Sequence, residues 1–345
     1  MQSDVYFYVM KVGVAGASGY AGAELLRLLA GHPEFVVQAV SGQRHDGELM
    51  ALHTPSLTAA YKGIRYQATT PETFSECDIV FLALPHGASQ GIAPALLNQG
   101  KTMIDLGADF RLPFKTYEHW YNETHGAPDL CESAVYGLVE RHREQLVDAS
   151  LVAVPGCYPT ATTLALAPFL DGGVIAAEGI IVDAVSGVSG AGRAAKDHLH
   201  FSEVDESFSA YGLLDHRHTA EMEMTLNATV LFTPHLAPMV RGMLVTAYGR
   251  PVSPMTTDDA LAILNDAYVD EPFVHVVHEP PATKSATGSN SAFITARVDP
   301  RTGYLVVISA IDNLGKGASG QAIQCANVVA GFDETAGLSS IGVYP

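Results

Sequence analysis

The segment Pro155-Gly156-Cys157-Tyr158-Pro159-Thr160 sets a cysteine between a run that reads as a strand and one that reads as a helix. A thiol at a helix start faces the positive end of the helix dipole and unshared N–H groups, and both favour the thiolate. The chemistry this offers is covalent attack on an electrophilic carbon. Such an adduct needs an acid/base for the protons at its oxygen. His216-Arg217-His218 supplies one, with His218 the preferred residue and His216 the alternative. Of the other cysteines, Cys77 and Cys325 lie in apolar strand and helix contexts and read as core, and Cys131 lies in a loop. None stands in CxxC spacing, so neither a disulfide framework nor a zinc ligand set is indicated, and no metal is expected.

A second chemistry belongs to Gly13, Gly16 and Gly19, with Gly22 continuing the spacing, between an apolar strand and a helix. In that position glycines let a turn approach a pyrophosphate, and the helix N-terminus meets its charge. Ala17, Ser18, Tyr20 and Ala21 complete the expected cofactor-binding turn. An NAD site places a carboxylate at the end of the second strand, about twenty residues on. Here that strand ends in Ser41, Gly42, Gln43 and Arg44, which suit a 2′-phosphate, so NADP(H) is the expected cofactor. Two further loops have the right composition. Ser186-Gly187-Val188-Ser189-Gly190-Ala191-Gly192-Arg193 is flexible enough to lie against a nicotinamide or a substrate, with Arg193 able to pair with an anion. Arg111, in Asp109-Phe110-Arg111-Leu112, follows a strand end and suits bidentate phosphate recognition.

These residues need elements to hold them. The first half alternates β-rich runs (VMKVGVAG, EFVVQAVS, CDIVFLALP, TMIDLG, SLVAVPG) with helical stretches, the pattern of a doubly wound parallel sheet. After a helix at TATTLALAPFL the chain becomes strand-rich (GIIVDAVSGVSG, ATVLFTPHL, RGMLVTAYGR, SAFITARVD, YLVVISAID), which reads as an α+β domain with a largely antiparallel sheet. The expected division is 1–156 as a Rossmann domain joined by 313–345, and 157–312 as the catalytic and substrate domain, to which the resemblance below adds oligomerisation. With 345 residues, 48% apolar and 16% charged, the chain has the composition of a two-domain globular enzyme. A net charge of −18 argues against nucleic acid or anionic membrane as partner. The start of the chain lacks a basic segment followed by an apolar core, and no apolar run would span a bilayer, so a cytoplasmic protein with reduced thiols is expected.

In order along the chain, GASGYAG, LPHG (84–87), GADFRL (107–112), PGCYPT (155–160), SGVSGAGR (186–193), HRHT (216–219) and NLGKGASGQA (313–322) resemble the N-acetyl-gamma-glutamyl-phosphate reductases over essentially the whole length. The resemblance implies a glyceraldehyde-phosphate-dehydrogenase-like fold and NADPH-dependent reduction of an acyl phosphate to a semialdehyde in arginine biosynthesis. It implies a thioester on Cys157 and a homo-oligomer, dimer or tetramer, built on the second sheet. It also implies cofactor contacts at Ser186, Gly187, Asn313 and Gly317, and substrate contacts at Arg111, Ser189, Gly190 and Arg193. The chain departs from the family pattern at Val139, Asp215 and Ala220, and Asp215 bears on the titration of its neighbouring histidines. Two other readings stay open: a sibling reductase for an aspartyl or aminoadipyl phosphate, and an NADP-binding sensor that does not turn over. Cys157 speaks against the sensor, which has no need of a nucleophile.

Overall fold

The structure, a computed structural model, describes residues 9–343. In chain order it begins with β1 (Met10–Ala15), α1 (Tyr20–Leu29), β2 (Phe35–Val40), β3 (Ile79–Leu82), α2 (Ser89–Asn98), β4 (Thr102–Asp105) and α3 (Phe114–Tyr121). There follow α4 (Pro128–Ser133), β5 (Val135–Tyr136), α5 (Val139–Leu146), β6 (Leu151–Ala153), α6 (Cys157–Asp171), β7 (Ile180–Gly187) and α7 (Phe201–Val204). The chain then forms β8 (Ser209–Ala210), α8 (His218–Leu226), β9 (Val230–Ala237), β10 (Met243–Gly249) and α9 (Thr257–Tyr268). It closes with β11 (Val274–Val276), β12 (Ala292–Val298), β13 (Leu305–Ile311) and α10 (Gly320–Ala330). No helix among the described residues is long and apolar enough to cross a membrane.

Two compact units result. The first holds 9–114, 124–154 and 321–338, and the second 115–123, 155–320 and 339–343. Compared with the expected division, residues 313–320 group with the second unit. Asp312 accepts hydrogen bonds from the N–H groups of Leu314 (2.8 Å) and Gly315 (3.1 Å), which ties that turn to the end of β13. Residues 339–343 follow, since Asn290 N donates to Ser339 O (2.8 Å) and Val343 N to Thr287 O (2.7 Å). The segment 115–123 also joins it, with the Arg217 guanidinium 4.7 Å over the Tyr121 ring. Of the expected spans, 1–8 and 344–345 lie outside the described residues.

The first unit's sheet is wholly parallel, in the order β2-β1-β3-β4-β6-β5. Alternation of side chains along each strand divides its apolar residues between two cores. Val12, Val14, Ile79, Phe81, Ile104 and Val152 face α1 and α10; Ala15, Val80, Leu82, Met103 and Leu151 face α2. Leu25, Leu26 and Leu29 make the buried stripe of α1. Full burial of each contributes on the order of 1.5–3 kcal/mol. The second unit's sheet runs β11-β12-β13-β10-β7-β9-β8 and is mixed: β11·β12 and β7·β9 are parallel and its other pairings antiparallel. Helix α6 has no polar face, because the residues from Tyr158 to Ala167 are all buried.

The loop after β4 is held by two buried carboxylates. Asp109 accepts from the N–H groups of Gly87 (2.8 Å), Ser89 (2.9 Å) and Gln90 (3.3 Å), capping α2 from another loop. Asp105 accepts from Ser89 Oγ (2.7 Å) and Gly107 N (3.0 Å). Burial, aided by the Asp109 charge, pushes the Asp105 carboxyl up to about 7 from 3.8. A carboxyl raised on folding favours the folded state while protonated, and that contribution disappears as pH climbs through the folded pKa. Wild type should therefore lose stability between pH 4 and 7 relative to Asp105→Asn, by up to about 4 kcal/mol. Urea unfolding of both proteins across that range measures it, and parallel pH profiles would refute the assignment.

Candidate active site

Each unit carries part of the chemistry. In the first, Gly16 turns the chain out of β1 with φ +78°, a conformation that favours glycine. A β-carbon there would collide with Ala83 O, and one at Gly22 with Gly16 O, so α1 starts directly against the turn. Gly19 is the N-cap of α1 and Tyr20 its first residue, with Ala17, Ser18 and Ala21 beside them. This side-chain-free cradle at a helix start fits a dinucleotide pyrophosphate. Gly13 has a different job from the one expected. It lies inside β1, where a β-carbon would sit 2.5 Å from a Phe74 ring carbon, so its lack of a side chain serves packing.

Two further expectations in this unit change. Ser41 is completely buried; its hydroxyl bonds Thr69 Oγ1 (2.8 Å) and its carbonyl accepts from Ala17 N (2.9 Å). It therefore anchors the turn to the end of β2 and presents nothing to a 2′-phosphate. Arg44 is exposed and remains the cation at that strand end. Arg111 donates through Nε to Val154 O (2.7 Å) and through Nη2 to Leu106 O (2.8 Å). Two of the five N–H donors of Arg111 thus tie strand ends together.

In the second unit Cys157 is the first residue of α6, and its half-buried thiol lies at the positive end of that helix. Gly156, extended at φ −67° and ψ 156°, donates its N–H to Glu221 Oε1 (2.7 Å), and its carbonyl accepts from Thr160 N (2.9 Å) and Thr160 Oγ1 (3.0 Å). Glu221 is 2% exposed and lies in the first turn of α8, the helix that His218 begins. The contact therefore ties the nucleophile's helix to the histidine's.

The two histidines differ. Nδ1 of His216 accepts from His218 N (3.2 Å), so His216 caps α8. Its ring lies 5.6 Å from Tyr158, 5.5 Å from Tyr211, 5.3 Å from Phe232 and 4.9 Å from His218, centroid to centroid. Burial pulls it down to about 4, against a smaller upward push from Asp215. His216 is thus neutral and structural at physiological pH, which leaves His218 as the acid/base candidate. Tyr158 donates to His235 O (3.2 Å) and receives the Tyr211 hydroxyl (3.2 Å). Burial raises the Tyr211 hydroxyl to about 12, so it stays protonated.

The loops expected around the nicotinamide and substrate converge here. Asn313 donates through Nδ2 to Ser189 Oγ (2.9 Å) and accepts at Oδ1 from Gly242 N (2.8 Å). Both ends of its amide are engaged within the unit, so its side chain shapes the loop. Ser186 is buried, its hydroxyl donating to Gly187 O (3.0 Å), and Gly190 packs against that hydroxyl. A β-carbon on Gly317 would come within 2.8 Å of the Cys157 β-carbon. Its bareness makes room for the nucleophile. Arg193 is exposed. Sequence reasoning missed Glu221, Tyr158 and Tyr211. Glu221 has a signal, three residues after His218 on one helix face; Tyr211 has none, since its partner lies 53 residues away.

Comparison with known proteins follows this division. Residues 11–149 match the family model described as semialdehyde dehydrogenase, NAD binding domain, and 157–313 the one described as semialdehyde dehydrogenase, dimerisation domain. The chain is 50% identical to N-acetyl-gamma-glutamyl-phosphate reductase of Symbiobacterium thermophilum, covering 97% of this chain and 99% of that one. It is 46% identical to the Moorella thermoacetica protein of the same name, covering 98% and 100%. Among solved structures it is similar to aspartate semialdehyde dehydrogenase II of Vibrio cholerae (TM-score 0.70, 19% identity, covering 93% and 98%). It is also similar to the Candida albicans aspartate semialdehyde dehydrogenase with NADP (0.69, 18%, covering 93% and 98%). At those identities the structures bear on the fold alone.

Removing the buried acceptor at Glu221 should show in stability and in turnover together. Glu221→Ala leaves the Gly156 N–H buried without its acceptor, at a cost of about 1–3 kcal/mol. Glu221→Gln keeps a carbonyl acceptor and should cost less than half of that. Chemical denaturation of the two variants decides it; equal losses would mean that the negative charge, and not the hydrogen bond, matters.

Proposed function

We infer the reaction from one premise: the chain belongs to the N-acetyl-gamma-glutamyl-phosphate reductase family. It is an oxidoreductase that reduces N-acetyl-gamma-glutamyl phosphate to the 5-semialdehyde and phosphate, a step of arginine biosynthesis. The observation that supports a covalent route is Cys157 at the start of α6, with its helix joined through Glu221 to the helix of His218. In the proposed sequence the Cys157 thiolate attacks the acyl carbon, the C–O bond to phosphate breaks, and inorganic phosphate leaves behind a thioester. A nicotinamide dinucleotide, NADP(H) in our assignment, supplies the hydride to that carbon when bound. The C–S bond of the resulting tetrahedral adduct then breaks, restoring the thiolate and freeing the aldehyde. His218 holds the proton for the departing or developing oxyanion, while His216 keeps α8 in place.

In the first unit the Gly16–Gly22 turn takes the pyrophosphate, and Arg44 takes the 2′-phosphate at a strand end that has no carboxylate. Ser189, Gly190 and Arg193 are assigned to substrate. For assembly, we assign the homo-oligomer contact to the second sheet's outer face. Ile181, Val185, Leu244, Tyr248, Val306 and Ile308 are only partly buried there. We place the enzyme in the cytoplasm, a reducing compartment in which its four free cysteines persist.

The phosphate-dependent reduction of NADP+ by N-acetylglutamate 5-semialdehyde tests this reading, with wild type beside Cys157→Ser. Wild type should turn over and the variant should lose roughly three or more orders of magnitude. Activity only with aspartate semialdehyde would move the substrate, and no activity with any semialdehyde would favour a sensor. In the same assay Arg44→Ala should raise KM for NADP+ at least about tenfold, the scale of one charge-assisted contact, and leave NAD+ unchanged. An equal effect on both cofactors would remove Arg44 from 2′-phosphate recognition.

A further inference from the structure

His45, Glu48 and His53 meet on the loop that follows β2, with one ring nitrogen of each histidine and one carboxylate oxygen all within 4.8 Å of one another. Nothing in the reductase chemistry uses them as a group. The imidazole centroids are 3.8 Å apart, and each lies 6.0 Å from the buried ring of Tyr66, which forms the floor. The backbone that carries all three is pinned. His45 N donates to Gly42 O (2.7 Å), Glu48 N to His45 O (2.9 Å), Tyr66 N to Glu48 O (3.0 Å), Met50 N to Ile64 O (3.0 Å) and His53 N to Met50 O (3.0 Å). The side chains are 28%, 47% and 20% exposed in chain order, so an ion has a path from solvent.

We propose that His45, Glu48 and His53 form a binding site for a divalent transition cation of the zinc class, with water in the open position. Two imidazole nitrogens and a carboxylate oxygen are the donor set that borderline cations prefer, and they leave a fourth place vacant. Around a tetrahedral ion with bonds of about 2.0–2.2 Å, neighbouring ligand atoms stand roughly 3.4 Å apart. His45 Nδ1 and Glu48 Oε2 are already 3.5 Å apart. His53 Nε2 and Glu48 Oε2 are closer, 2.5 Å, because a proton joins them. An ion takes the place of that hydrogen bond and spreads the pair by about 0.9 Å.

The site is independent of the reading of Cys157, and its test must keep the two apart, since a thiolate also takes soft cations. Full-length Cys157→Ser protein, titrated with Co2+ followed by Zn2+ and checked by equilibrium dialysis, serves that purpose. One Co2+ per chain should bind with visible bands of nitrogen and oxygen ligation and without thiolate charge transfer, and Zn2+ should displace it. His45→Ala, His53→Ala and the isosteric Glu48→Gln should each weaken binding at least about tenfold, a loss already typical of removing an outer-shell partner. Melting curves identify any variant that fails to fold, and Glu48→Gln should not be among them. Absence of stoichiometric uptake, or uptake that Glu48→Gln leaves unchanged, would overturn the site.

Discussion

The second unit depends on one buried hydrogen bond, from Gly156 N–H to Glu221. A nucleophile at a helix start works only if that start is held still against its proton donor, because covalent and acid/base steps require alignment within fractions of an ångström. Gly156 is the last extended residue before α6, and Glu221 sits one turn into α8. The bond therefore joins the first turns of the two helices, beside Cys157 and one turn on from His218. Removing water from Glu221, which is 2% exposed, strengthens the contact.

The same device recurs. Asp109 gathers three N–H groups at the start of α2, and Asp312 gathers those of Gly288 (2.6 Å), Leu314 and Gly315 at the end of β13 while pairing with Arg241 (3.1 Å). In each case a buried carboxylate replaces water as the acceptor for main-chain donors in a turn that must stay irregular to present a ligand surface. An acidic chain with few cations has this option open to it. The cost is desolvation of each charge, and Asp105 shows what happens when the number of donors is too small. With only Ser89 and Gly107 to serve it, its carboxyl becomes easier to protonate.

What the residues revealed in advance was the part governed by local rules. Strand alternation, the Gly16 turn and Cys157 at a helix start follow from periodicity, sterics and dipoles within a dozen residues, and the fold bears them out. The surroundings of a residue were illegible where its partner is distant in sequence. Gly13 resembles a phosphate-binding glycine until Phe74 packs on it. Nothing near Arg111 in sequence announces that it also meets Val154 O and Leu106 O, carbonyls at two strand ends. Ser41, expected near a 2′-phosphate, has its side chain completely buried. The cluster of His45, Glu48 and His53 escaped notice for the opposite reason. The residues are near in sequence, but only the irregular turns between them bring their donor atoms together.

The division of labour between His216 and His218 follows from the same accounting of partners. An imidazole whose Nδ1 accepts from a main-chain N–H cannot be protonated there without facing donor with donor, and the aromatic surround of His216 offers a cation little solvation. Burial is the larger effect and pulls it to about 4, far from the range where proton transfer near neutrality is efficient. Placing two histidines around one arginine thus gives a helix whose start is capped by one neutral ring and whose first residue carries the other. An asparagine cap would serve α8 as well, but it would not fill the cage formed by Tyr158, Tyr211 and Phe232, so packing decides that the cap is a histidine.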